Sequence, residues 1–550
     1  MGLIDPKLPP YDPLEWNDLP FEQKAKLVCE SWALDGYGSP LGVFLIYSIK
    51  IGLYAIGWAY CCSLSFGSIR DIASWWAAPL AFQKAIVFSL LFELMGFGCG
   101  SGPLTARYIP PVGGFLYFLR PGTTKASLWP HLPIIGGITR SLLDIALYAS
   151  TIGCAVLYVV SAAPSQTLLI MLAVLVPACG LVDKTLFLAA RAEHYWTTIV
   201  VFALATDWWA AACWIQLALW FWAGISKLNR HFPAVVCVMT SNSPMVRRAS
   251  AKRALYRSYP NDLRPSTRAK RLAAFGIGLE LSVPLAFLLL PAPWNVSCGL
   301  TLMWALHLHI TSSIPVGVPL EWNVMVVYGA MVLFGREGGT ALYAIEPVTA
   351  GFLIFMLLLV PLAGNLFPSK VSFLPSMRYY AGNWACSVWL FKDDSHQRLE
   401  ALKKWSPWVY SQLSGFYDHP TCIALVGKVI AFRLMHLHGR AVAKLIPRTV
   451  DEFPRYTWLD GEIVAGMALG WNFGDGHLHD ERLLNAIQSQ CGFEPGELRC
   501  IFVESQPLGK PTLHWRIHDA ATGPIDTGLV SVETLVDLTP WGTATKDSET

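Results

Sequence analysis

Charge is scarce in this sequence. Only 14% of its 550 residues are Asp, Glu, Lys or Arg, against 54% that are hydrophobic; an ordinary soluble chain carries about a quarter charged. So few charges cannot clothe a water-exposed surface of this size, which excludes a wholly soluble globule. Several chemical devices are also missing. There is no GxxxxGK[ST] loop and no strand-bound GxGxxG turn, the two usual backbone cradles for nucleotide phosphates. The thirteen cysteines include no CxxC pair, so zinc-knuckle and thioredoxin-like arrangements lack support. Cys61, Cys62, Cys99, Cys154, Cys179, Cys213 and Cys298 sit in apolar text and read as small buried hydrophobes. The opening residues lack a basic leader with an early apolar core, and Pro6 stands where a myristoyl signal wants Ser or Thr.

What is present is a succession of apolar runs: residues 41–64, 77–97, 142–162, 167–190, 272–291, 296–314, 322–335 and 345–363. About 20 helical residues at 1.5 Å each cross the hydrocarbon of a bilayer. The run at 194–227 is too long for one upright crossing and carries Asp207 near its middle. It is either one tilted helix or two halves meeting at Asp207. These runs predict a membrane all-α fold: a multi-pass bundle of eight or nine helices over 41–366, after a polar or interfacial segment at 1–40. The Pro/Gly-rich interval 100–137 reads as re-entrant or interfacial.

Between Lys227 and Arg271 stand eleven Lys or Arg and one acid, Asp262. Lying between apolar runs, this stretch reads as a cytoplasmic membrane-flanking loop that can face anionic headgroups, and not as a nucleic-acid patch. From about Phe367 charged, polar and apolar residues mix. Residues 421–445 look helical, and 498–507, 512–520 and 528–538 look like strands. A C-terminal soluble α+β domain over 367–550 is expected, with the last half-dozen residues frayed.

Ionisable side chains inside membrane segments tend to face protein or a wet cavity. Here they are Lys84, Glu93, Asp144, Asp183, Lys184, Asp207, Glu280, His307 and His309, with Glu93, Asp207 and Glu280 in structural or coupling roles. Two groups lie beside aromatic text that can shape a pocket. In Glu193-His194-Tyr195-Trp196, His194 is either a base or donor, or an interfacial anchor. In WFWAGISKL at 220–228, holding Trp220, Trp222 and Gly224, Lys227 is either a snorkelling lysine or a desolvated base. His307 and His309 diverge on a helix, so either can be the inward one. The GDGHLHDE loop offers His477, His479 and Asp475 as weak metal candidates.

These landmarks carry a resemblance. Residues from about 140 to 340 resemble the membrane domain shared by vitamin K-dependent gamma-carboxylase and its bacterial relatives, the horizontally transferred transmembrane domain family. Glu193-His194-Tyr195-Trp196 is similar to that family's Asn-His-Tyr-Trp segment, and Ala223-Gly224-Ile225-Ser226-Lys227-Leu228 to its Ala-Gly-x-x-Lys-Leu segment. A later family histidine corresponds to His307 or His309. Over its full length, including SFLPSMRYYAGNW at 372–384, the chain resembles a narrower group of uncharacterised actinobacterial transmembrane proteins. The first resemblance implies Lys227 as a base toward a reduced prenylated quinone such as menaquinone. His194 would stabilise charge nearby, a later histidine would assist, and Tyr195, Trp196, Trp220, Trp222 and Gly224 would shape a lipid or quinone pocket. The C-terminal region does not resemble the carboxylase's propeptide-binding part, so glutamyl protein carboxylation is not expected. The expectation is a plasma-membrane protein that contacts lipids and handles a lipid or quinone. The alternative is a non-catalytic lipid-handling or scaffold protein that docks a cell-envelope or respiratory partner.

Overall fold

The computed structural model describes residues 2–99, 108–110, 112–312, 319–335 and 342–544. Within them every apolar run is helical, though not every one is a full crossing. Five helices are long and apolar enough to span a membrane: Leu41–Phe66, Leu142–Val160, Trp209–Ser226, Thr267–Leu289 and Pro347–Leu366. Counting two sharply bent helix pairs as one span each gives up to seven. Gln166–Val182 and Leu320–Gly335 are shorter apolar helices, and Trp294–Ser312 packs between Thr267–Leu289 and Leu320–Gly335. Together they make a multi-pass helical bundle.

Local chemistry sets the helix ends. Ser141 and Asp144 form a reciprocal capping box at the start of Leu142–Val160, and the Ser266 side chain caps Thr267–Leu289. Pro79 and Pro347 occupy first-turn positions, where a missing N–H costs nothing. The 194–227 run takes the two-halves form. Thr197–Leu204 ends, the chain breaks at 205–208, and Trp209–Ser226 begins with Asp207 Oδ1 accepting from the Trp209 N–H at 3.2 Å. Ahead of it, Ala192–Trp196 is a π turn entered from Arg191, whose φ of 47° is left-handed.

The C-terminal region is α+β. Its antiparallel sheet has the order β4-β3-β5-β6-β7, from β3 (Cys386–Lys392), β4 (Tyr456–Asp460), β5 (Leu498–Val503), β6 (Thr512–Asp519) and β7 (Gly523–Ser531). The strand expected at 528–538 starts earlier and stops at Ser531, whose side chain caps a short helix, Val532–Asp537. β3 is buried on both faces, between helices Gly461–Leu469 and Leu437–Thr449. The bent pair His419–Met435 and Leu437–Thr449 belongs to this region. It carries buried Lys428, Arg433 and Arg440 and packs on the sheet, which suits a domain wall and not a lipid-facing span.

Packing does not stop at residue 367. Tyr117 of the bundle donates to the Met467 carbonyl at 2.6 Å, and one hydrophobic core joins Leu217 and Trp220 to Trp389, Leu459 and Trp471. The N-terminal segment also joins in. Helix Phe21–Asp35 packs on both Phe232–Asn242 and His419–Met435, placing Trp16, Phe21, Val28 and Trp32 in one core with Ile430, Leu434 and Trp458. The basic stretch is folded too, as helices Phe232–Asn242 and Ala249–Arg253 and a hairpin of β1 (Tyr256–Ser258) and β2 (Asp262–Pro265). The N-terminal segment, the basic stretch and the C-terminal domain therefore form one body at the end of the bundle. Residues 100–107 and 111 of the expected re-entrant interval, and 545–550 where fraying is expected, lie outside the described residues.

Candidate functional site: a cavity between the bundle and the C-terminal domain

A cavity of about 790 Å³ lies where these parts meet. Its bundle walls carry Trp220, Ala223, Lys227, Leu279, Glu280, His307, Trp322 and Asn323, and its C-terminal wall carries Phe373, Tyr379, Tyr380, Arg433, Glu462 and Phe473. Leu272 and Phe275 also line it and are exposed on the outside of the bundle. A mostly apolar chamber with a few convergent polar groups is the usual form of a small-molecule site.

Lys227 caps the C-terminal end of Trp209–Ser226 and is buried, with its ammonium 2.7 and 2.5 Å from the two oxygens of Glu280. The ion pair thus holds the Lys227 ammonium inside the protein. Gly224 explains how the pair meets. A Cβ there would stand 2.6 Å from Leu281 Cδ2, so the glycine lets Trp209–Ser226 approach Thr267–Leu289 closely. The helix crossing thereby brings a base and an acid from distant sequence into contact at the cavity wall.

His307 is the inward histidine of its pair. The Trp220 indole donates to its Nε2 at 3.0 Å, so Nδ1 carries the proton and donates to Asn323 Oδ1 at 2.8 Å. Asn323 is oriented in turn by donating from its amide nitrogen to the Pro319 carbonyl. The ring is thus a neutral tautomer with both nitrogens engaged. His309 also lines the cavity, but from an exposed position.

Other predicted residues lie elsewhere. His194 is buried behind the wall, edge-on to Trp322, and is not part of the lining. Tyr195 is fully buried beside it. Trp196 donates to the Ala173 carbonyl and Trp222 to the Leu357 carbonyl, so both are spacers between helices. Of the five expected pocket residues only Trp220 lines the cavity. Asp144 is paired with Lys125, Asp183 with Arg140, and Lys84 donates to the Cys61 carbonyl; these are structural. Asp475 accepts from the His477 N–H and Ser372, while His479 bonds Ser387 Oγ at 2.7 Å. Asp475 and His479 thus each spend a potential ligand atom on a local partner, whereas His477 is held through its backbone.

The sequence reading missed a second polar group beneath Trp322. Arg191 bonds Glu193 at 2.8 Å and the Cys99 sulfur at 3.3 Å, and its guanidinium lies 5.1 Å from the Trp322 ring centroid. Glu193 also accepts from Tyr379 at 2.9 Å. Glu93, Cys99, Glu321 and Lys50 complete the group. The signal was Glu321, a carboxylate at the second residue of an apolar helix. Also missed was the cavity's far wall, where Arg433 pairs with Asp460 at 2.6 Å and Glu462 at 3.1 Å. Burial pushes the Glu462 carboxyl up to about 7, against the opposing pull of Arg433.

A family model described as a transmembrane protein of unknown function, DUF3556, matches residues 1–548. The chain belongs to that family. The match covers the bundle and the C-terminal body alike, so the cavity between them lies within the span that defines DUF3556. Nothing among curated proteins or solved structures matches the chain.

Proposed function

We propose that the cavity binds a membrane amphiphile of the prenylated-quinone or acyl-lipid class, and that Lys227 and Glu280 serve as its proton-transfer pair. One observation carries this reading: a buried base–acid pair stands in the wall of a largely apolar chamber whose lining reaches the exposed apolar side chains Leu272 and Phe275. An ammonium and a carboxylate in contact supply one donor and one acceptor. A ligand hydroxyl can lose a proton to this pair while the partner charge stays compensated. A quinone of the kind implied by the gamma-carboxylase resemblance would place its ring here and its tail along the apolar walls. The basic stretch packs with the N-terminal helix and the C-terminal domain. The positive-inside rule then puts all three, and Lys227, on the cytoplasmic side of a plasma membrane.

Mass spectrometry of organic extracts from gently purified protein tests the binding. Wild type is expected to carry a near-stoichiometric amphiphile that is lost when Ala223→Trp fills the chamber. An extract without one, or an unchanged yield in the folded variant, refutes it. The placement of His194 outside the lining, and the full engagement of His307, favour the second reading: lipid handling without catalysis. Lys227→Met that keeps both the bound amphiphile and full cellular function decides for that reading.

A further inference from the structure

We propose that Glu93, Cys99 and Glu321 form a binding site for one divalent transition-metal cation of the Zn²⁺ class, set behind the cavity wall and independent of what the cavity holds. All three are buried, and one oxygen of each carboxylate and the Cys99 sulfur lie within 4.8 Å of one another. Two carboxylates and a thiolate are a donor set of intermediate softness. It suits Zn²⁺, and three protein ligands leave a fourth position open.

The loop geometry is specific. Cys99 donates its N–H to one Glu93 oxygen at 2.8 Å and its thiol to the other at 3.0 Å. A Cβ at Gly98 would fall 1.9 Å from Glu93 Oε2, so glycine is what lets the chain fold Cys99 over the carboxylate. Glu321 is the least satisfied of the three. It is 1% exposed; one oxygen is ion-paired with the Lys50 ammonium, and the other, Oε2, is buried without a partner. The Arg191 Nη2 and the Tyr195 hydroxyl, from the adjoining π turn, are also buried without hydrogen-bond partners. Buried polar atoms left so are costly unless something further engages them.

Charge counting says what that is. With the carboxylates ionised, as metal binding requires, Glu93, Glu193 and Glu321 face only Arg191 and Lys50, an excess of one negative charge. Ionising Cys99 makes the excess two. A divalent cation brings the sum to zero in a low-dielectric setting where residual charge is heavily penalised.

Full-length protein in detergent, stripped with chelator and titrated with Co²⁺ as the spectroscopic probe, tests the site. Wild type is expected to bind one equivalent with a thiolate-to-cobalt charge-transfer band and to melt higher when loaded. Cys99→Ser should abolish the band. Glu93→Gln and Glu321→Gln should weaken binding by on the order of 100-fold, at the upper end of losses for metal-supporting groups. Cys154→Ser, a buried cysteine elsewhere, should keep the band. Wild type that takes up no cobalt overturns the site whether or not the variants fold. So does a band that survives in Cys99→Ser, since it would report another of the cysteines.

Discussion

Two buried polar groups flank Trp322, and they are assembled on different terms. On the cavity side Lys227 meets Glu280 and His307 meets Trp220 and Asn323, so every charge and ring nitrogen has a counterpart. On the far side the carboxylates of Glu93, Glu193 and Glu321 outnumber the cations of Arg191 and Lys50, and Glu321 Oε2 has no partner. The first arrangement is complete in itself; the second leaves room for a further positive charge. Burial alone therefore does not reveal what a polar group is for, whereas the completeness of its partnering does.

The largest effect is expected in the balanced group. Glu280→Leu strands a buried ammonium and is expected to cost about 3–5 kcal/mol of stability, read as a fall in Tm in detergent. Adding Lys227→Met should recover most of it, and no recovery would mean the pair is not a unit. Next, Asn323→Leu removes the acceptor of the His307 Nδ1 proton and should cost about 1–3 kcal/mol, read in the same melt. Glu93→Gln should be far milder in metal-free protein, within about 1 kcal/mol, because it removes surplus negative charge and keeps an acceptor for the Cys99 N–H. A loss as large as that of Glu280→Leu would erase the distinction between the two groups.

The smallest effect is expected at the C-terminal wall. Glu462 has its carboxyl raised to about 7 in the fold, mainly by burial. Below the ordinary carboxyl range both folded and unfolded forms are protonated and nothing is lost; as pH rises the unfolded chain ionises first, so the native state loses stability. Glu462→Gln should then melt progressively higher than wild type between about pH 5 and pH 8, by under about 1 kcal/mol given its partial exposure. A pH-independent difference would remove Glu462 from this account.

Much of this was legible in the sequence. Apolar runs placed the bundle helices to within a few residues, because hydrocarbon thickness acts locally, while Asp207 left a tilted helix and a break equally open. Lys227 and Glu280 were each visible, but their contact was not. It depends on a helix crossing made possible by Gly224, which no periodicity reports. β3 escaped because a strand covered on both faces shows no alternation, and its run Cys386–Phe391 is buried throughout. Trp196 and Trp222 looked like pocket walls because aromatic text says how bulky a helix face is, not which neighbour it meets. Cys99 looked like inert filling until the fold set it against two carboxylates.

The continuous core also has a consequence for biogenesis. Tyr117 needs the carbonyl of Met467, and Gly36 near the start of the chain accepts from Lys428, so bonds that seal the early segments wait for residues synthesised hundreds of positions later. Insertion of the helices can proceed one by one as the ribosome advances. Closure of the chamber cannot, so a nascent chain halted near residue 366 would sit in the bilayer with its apolar vault open to water and chaperones.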